Sequence, residues 1–156
     1  MTDKIQASTN GGGGLGYGGI TPSVVLEFDT FYNTANGDKD GNHIGINLNG
    51  FVQSQVQKNI PTRLNNGNPW HCWVDYDATH ELLEVRLSQT MEKPQNPELS
   101  YHISLSSTLG SSMYMGFTAA TGSAYSAHYL LFWEFYSSTP DSCTGNFSFS
   151  LLFAIN

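Results

Sequence analysis

Ser23-Val-Val-Leu-Glu-Phe-Asp-Thr-Phe31, followed after a polar loop by His43-Ile-Gly-Ile-Asn-Leu48, is the stretch that decides the fold. Its β-branched and aromatic residues favour a pleated strand over a helix. A period of two places Val24, Leu26 and Phe28 on one face, and Val25, Glu27, Asp29 and Phe31 on the other. Residues 32–42 between the two strands are polar, and Asn49-Gly50 after the second is a turn signal.

The same pattern continues along the chain. Trp70 to Tyr76 and Leu82 to Leu87 read as strands around a hairpin loop, Asp77-Ala-Thr-His80. Tyr101 to Leu105, Met113 to Ala119 and Tyr129 to Tyr136 extend the series. Short strands separated by turn residues predict an all-β, antiparallel sandwich or barrel. No helix longer than a turn or two is expected, and no segment repeats. Residues 1–19 are polar and then glycine-rich (Asn10-Gly-Gly-Gly-Gly-Leu-Gly-Tyr-Gly-Gly19), which is loop chemistry.

Composition excludes several classes. The 156 residues allow one domain with a core. A charged fraction of 12% with 13% aromatics is unlike a disordered tail or a coiled coil. Six basic residues against 13 acidic ones, a net charge of -7, cannot build the cationic stripe that nucleic acid requires. No apolar run reaches the roughly 20 residues of a membrane-spanning helix. The chain opens without the apolar core of a signal peptide. Cys72 and Cys143 permit one bridge at most or two separate thiols. Asn146-Phe147-Ser148 is a glycosylation sequon, relevant only to a secreted eukaryotic chain.

Two carboxylates on one face of a core strand demand an explanation. Glu27 and Asp29 point the same way, beside a loop carrying Asp38 and Asp40. Gathering them costs several kcal/mol unless solvent, a shared proton or a metal neutralises them. The loop favours a metal, because Asn33 offers an amide oxygen, Asp38 a carboxylate and His43 an imidazole. Oxygen ligands suit calcium, and a histidine among carboxylates suits a transition ion such as manganese. Two divalent ions would bring the net charge to about -3.

Val25-Leu-Glu-Phe-Asp-Thr-Phe-Tyr-Asn33, then Asp38, then His43-Ile-Gly-Ile46 resembles the metal-binding segment of the legume-type (L-type) lectins. Gly11-Gly-Gly-Gly-Leu-Gly16 resembles that family's glycine loop beside the sugar. Gly116-Phe-Thr-Ala-Ala-Thr-Gly122, with His128 and Trp133-Glu-Phe135, resembles its Gly-Phe-Ser-Ala-Ala-Thr-Gly and Trp-Ser-Phe run. The resemblance covers roughly residues 11 to 136.

The resemblance implies a concanavalin A-like jelly roll and a non-catalytic domain that binds glycans. It divides the chain into a lectin domain over 1–136 and a C-terminal tail or final strand over 137–156. Glu27, Asp29, Asp38 and His43 would hold a manganese-like ion. Asp29, the Phe31 carbonyl, Asn33 and Asp38 would hold calcium. Asn33 would also donate to a sugar hydroxyl, Phe31 would stack on the sugar's apolar face, and Gly13 would offer its backbone N–H. Ser123 and Ala124 would sit in the loop that tunes sugar preference. An extracellular or cell-surface setting, and pairing into homo-oligomers through the sheets, are also implied.

There are departures from the family pattern. Lys39 follows Asp38 where members often carry proline, and Asp40 is a rival ligand whose spacing to His43 fits less well. The family's sugar-binding Asp-Gly pair, expected before the glycine loop, has no counterpart ahead of Gly11. Asp3 is followed by Lys4, so the role does not transfer, and Lys4-Ile5-Gln6 reads as the rest of the strand after that pair. The expectation is a domain whose N-terminal strands are incomplete.

Other residues carry plainer readings. Trp70, Trp73 and Trp133 alternate with apolar neighbours, which predicts core packing over a sugar platform. Asp75-Tyr-Asp77 reads as a solvated turn, and His71, His80, His102 and His128 share no spacing with carboxylates. Two alternatives to the lectin reading remain: a structural or protein-interaction remnant of the fold, and a glycoside hydrolase of similar architecture. Glu27 and Asp29 lie about 6.5–7 Å apart along the strand, against about 5–5.5 Å between carboxyls for a retaining pair. The glucanase-like pattern wants a further Glu where Phe31 or Tyr32 stands.

Overall fold

The computed structural model describes residues 11–138 and 145–156. Among these residues eight strands form two antiparallel sheets. The smaller has the order β1 (Val24–Asp29), β2 (His43–Leu48), β3 (Val56–Asn59). The larger contains β4 (Trp70–Asp77), β5 (Leu82–Ser88), β6 (Leu99–His102), β7 (His128–Ser137) and β8 (Phe147–Ile155), in the order β6-β5-β4-β8-β7. Fold class, strand alternation and the β4–β5 hairpin agree with the sequence reading. The single α-helix among the described residues is short, α1 (Leu105–Leu109).

The core lies between the sheets. Ile44 and Ile46 of β2 join Trp70, Cys72, Val74 and Tyr76 of β4, Val85 of β5, and Leu151, Phe153 and Ile155 of β8. Val24, Leu26 and Phe28 pack against this cluster, and the Phe28 and Phe153 rings meet at 4.4 Å between centroids. The inward face of β1 is therefore the one that the period of two selects. Its other face carries Glu27 and Asp29, which are buried as well. The β1–β2 register sets Glu27 opposite Gly45 and Asp29 opposite His43, so one end of the small sheet gathers the polar side chains.

Several expectations fail. Met113 to Ala119 forms no strand. It runs along the surface with Tyr114 and Phe117 exposed, and no neighbouring strand takes up its backbone groups in a ladder. The strand expected at Tyr101 to Leu105 lies earlier, over Leu99–His102, because Leu105 already opens α1. Val56–Asn59, too polar to attract notice, is a strand because β2 pairs with it on its free side. Trp70 is buried and its Nε1 donates to the Leu64 carbonyl at 3.2 Å, whereas Trp133 is 46% exposed. Among the described residues Trp133 belongs to an edge strand of a five-stranded sheet facing one of three strands, and none of them covers its inward face. Asp75 is not simply solvated: Arg86 and Lys93 both bind it, at 2.9 and 2.8 Å.

Cys72 is a fully buried free thiol. Cys143 and Lys4-Ile5-Gln6 lie outside the described residues. Phe147–Ile155 pairs with both β4 and β7 inside the larger sheet.

Candidate metal centre

The site is built on the outer face of β1 and β2 and closed by the loop between them. Asp29 ends β1, and its Oδ1 accepts the Phe31 N–H at 2.7 Å, which turns the chain out of the strand. The loop then returns so that the Asp38 carboxylate accepts the Asn33 N–H at 2.6 Å. Asp40 accepts the Asn42 N–H at 2.8 Å. Asn42 anchors the end of the loop by donating to the carbonyls of Ile60 and Thr62 and accepting from Leu64 N–H. These bonds fold a polar segment tightly enough to bring distant carboxylates together.

Asp29, Asp38 and His43 each offer a ligand atom, and these atoms lie within 4.8 Å of one another. His43 is fully buried. Its Nδ1 lies 3.1 Å from the Asp40 carbonyl, an acceptor only, so Nδ1 carries the proton. Nε2 then presents a lone pair, and it has no hydrogen-bond partner. It faces Glu27 Oε1 at 3.5 Å and Asp38 Oδ1 at 3.9 Å. A lone pair held against two carboxylates is satisfied by a proton or by a cation. An imidazole fixed through Nδ1 to a carbonyl is the usual arrangement of a metal-bound histidine. The donor set therefore fits a divalent ion.

The electrostatics follow from the same contacts. Burial pushes the Glu27 carboxyl up, but the adjacent His43 imidazole and the bonds from Ser54 and Tyr17 outweigh it and hold it below its ordinary value. Burial raises Asp29 and Asp38, each opposed by one backbone N–H and by His43. Burial pushes His43 down, but the adjacent Glu27 and the other carboxylates around it outweigh it and raise it.

The residues expected at the sugar converge in part. A Cβ on Gly13 would stand 3.5 Å from the Asn33 side chain and 3.3 Å from that of Asn36. Asn36 donates to the Gly13 carbonyl at 3.0 Å. The turn bearing Ser123 and Ala124 is drawn beside this loop, since Gly12 N–H donates to the Thr121 carbonyl at 3.1 Å. Phe31 is 45% exposed, as a stacking ring must be. Asp40 lies nearer the Nδ1 side of His43, at 3.7 Å, and is not among the three clustered ligands.

Three residues escaped the sequence reading. Tyr17 and Asn47 both donate to Glu27 Oε2, at 2.9 and 2.6 Å, and Ser54 donates to Oε1 at 2.5 Å. Asn47 carried a usable signal, because it shares a face of β2 with His43 and Gly45. Tyr17 carried none, being one aromatic in a glycine-rich loop.

Two antiparallel sheets with a carboxylate–imidazole group on one outer face define a β-sandwich with a candidate metal centre. The chain matches the legume lectin domain over residues 18–147 and belongs to that family. It is 39% identical over 125 residues to L-type lectin-domain containing receptor kinase V.9 of Arabidopsis thaliana, covering 72% of this chain and 18% of that protein. It is 37% identical over 130 residues to putative L-type lectin-domain containing receptor kinase V.1 of the same plant, covering 76% and 20%. Receptor kinase VIII.1, also an L-type lectin-domain protein, is 33% identical over 138 residues, covering 84% and 19%. The chain thus spans 18% to 20% of the length of these curated relatives. Among the described residues no helix is long and apolar enough to cross a membrane.

Proposed function

We propose that this chain binds carbohydrate without catalysis, through a loop organised by calcium and a transition ion such as manganese. Glu27, Asp29, Asp38 and His43 hold the transition ion. Asp29, the Phe31 carbonyl, Asn33 and Asp38 hold calcium, with Asp38 rather than Asp40 shared between them. The ions supply charge neutralisation and fix the loop, so the sugar meets a site already ordered. Phe31 takes the apolar face of the sugar, Asn33 and the Gly13 N–H take its hydroxyls, and Ser123 and Ala124 border the site. The setting is extracellular or at the cell surface, and the ligands are glycans or glycoconjugates.

The observation that carries this reading is the buried, unpartnered Nε2 of His43 facing two carboxylates. The test is binding to a glycan array with and without chelator. Binding is expected to vanish in chelator and return with calcium plus manganese, and Asn33→Ala is expected to abolish it with the fold intact. Glycan binding that is indifferent to chelator overturns the metal-organised mechanism.

The uncovered apolar strand β7 favours a second reading, a protein-interaction module on the same fold. That reading expects no glycan signal, but melting that still responds to calcium.

A further inference from the structure

Behind the candidate ligands lie buried polar side chains, bonded to Glu27, that the metal reading does not use. Tyr17 is 3% exposed although it stands in the glycine-rich segment. Its hydroxyl donates to Glu27 Oε2 at 2.9 Å and accepts from the Asn47 amide. Asn47, itself fully buried, donates to the same Oε2 at 2.6 Å. That oxygen is therefore held by two donors. The other, Oε1, takes one bond from Ser54 at 2.5 Å and faces His43 Nε2. A glutamate side chain is free to rotate about its last bond, and these donors remove that freedom. They fix which oxygen faces His43.

Tyr17 also belongs to the turn that presents Gly13. Its N–H donates to the Gly14 carbonyl at 3.1 Å, and its carbonyl accepts the Ile20 N–H at 2.9 Å. Packing alone would need only the ring. A buried hydroxyl is retained at a cost unless it is bonded, and both bonds here go to the Glu27–Asn47 cluster. One side chain thus joins the glycine turn to the carboxylate beside His43.

We infer that Tyr17 is a positioning residue whose hydroxyl couples the glycine turn to the ion held beside Glu27, so that metal occupancy and ordering of the turn are reciprocally linked. This rests on the metal reading above. Whatever the ion gains from an oriented Glu27, the turn gains from the ion, because coupling between two sites is symmetric in free energy.

The test uses the full chain and manganese alone. Manganese affinity is measured by titration, and hydrogen exchange of residues 11–19 is followed with and without the ion. In the unsubstituted chain manganese is expected to raise protection of the turn. Tyr17→Phe is expected to weaken manganese by about tenfold or more and to abolish that protection. Asn47→Ala removes the other donor to the same oxygen and is expected to weaken manganese likewise. Tyr76→Phe deletes a comparably buried hydroxyl on the larger sheet, bonded to the backbone of Ile103 and Leu105, and is expected to lower the melting temperature with manganese affinity intact. Unchanged manganese binding and turn protection in Tyr17→Phe overturn the inference, as does an equal loss in Tyr76→Phe. An unsubstituted chain that binds no manganese overturns the metal reading itself, and this inference with it.

Discussion

Nε2 of His43 stands 3.5 Å from Oε1 of Glu27, and both side chains are buried beneath the loop between β1 and β2. Without a metal only a proton on Nε2 makes that contact favourable. The folded pKa of His43 is raised above its ordinary 6.5, so its contribution is complete below that value and is lost as pH rises through the raised one. Asp29 and Asp38 are also raised, so they too favour the folded state more on the acid side. Glu27 is lowered, and its contribution is present above its ordinary 4.5 and lost only in stronger acid. In chelator, the melting temperature is therefore expected to fall between about pH 6 and pH 8. Calcium plus manganese should reverse the trend, since a cation takes the place of the proton. A chelated protein that melts higher at pH 8 than at pH 6 contradicts this account.

Gly45 lies opposite Glu27, and a side chain there would displace its neighbours. A Cβ would come within 2.6 Å of Glu27 Oε1 and would also overlap Ser54. Gly45→Ala is expected to cost about 1–3 kcal/mol and to weaken manganese, because the displaced groups are the ones that aim at His43. Gly50 differs in kind. Its φ of +71° and the Gly19 and Ile20 backbone beside it, at 2.6–2.7 Å from a Cβ, exclude a side chain at the end of the glycine turn. Gly45→Ala should lower the melting temperature more in metal than in chelator. Urea titrations in both conditions read the difference.

Cys72 is expected to be chemically silent. Burial pushes its thiol pKa well up, and the nearby Asp75 charge adds to the shift. The reactive thiolate is thus suppressed twice, by protonation and by lack of access. Mass spectrometry after native iodoacetamide treatment should find Cys72 unmodified, with full labelling once denaturant is added. Fast native labelling at Cys72 would show that β4 does not stay closed.

Strand β7 predicts self-association of the chain on its own. Leu130, Trp133 and Phe135 are 44%, 46% and 42% exposed, and Phe132 on the opposite face is 53% exposed. An edge strand with apolar side chains on both faces is a template for another chain. Light scattering should show a mass that grows with concentration, and Trp133→Glu should reduce it. A monomer at every concentration would mean that β7 does not recruit a partner in this way.

The β1–β2 unit was readable because its signals are local. Alternation in Val24-Val-Leu-Glu-Phe-Asp29 assigns faces, and Glu27, Asp29, Asp38 and His43 announce ligand chemistry by their type. Met113 to Ala119 has the same apolar look and forms no strand, because a strand exists only where a neighbour completes its hydrogen bonds. Val56–Asn59 is the converse, a polar segment made into a strand by β2. Trp133 looked like core because apolar alternation says which way a side chain points, not whether anything lies opposite.

What the amino-acid order determined alone was the β class, the inward face of β1 and the kind of atoms available to an ion. Each of these depends on residue type and on a spacing of a few positions. What only the tertiary structure decided was which oxygen of Glu27 faces His43, and what holds it there. Tyr17, Glu27, Asn47 and Ser54 meet through a strand register and a returning loop, so their contacts depend on the whole arrangement. No spacing between them encodes the meeting, which is why the tyrosine in the glycine turn gave no sign of its partners.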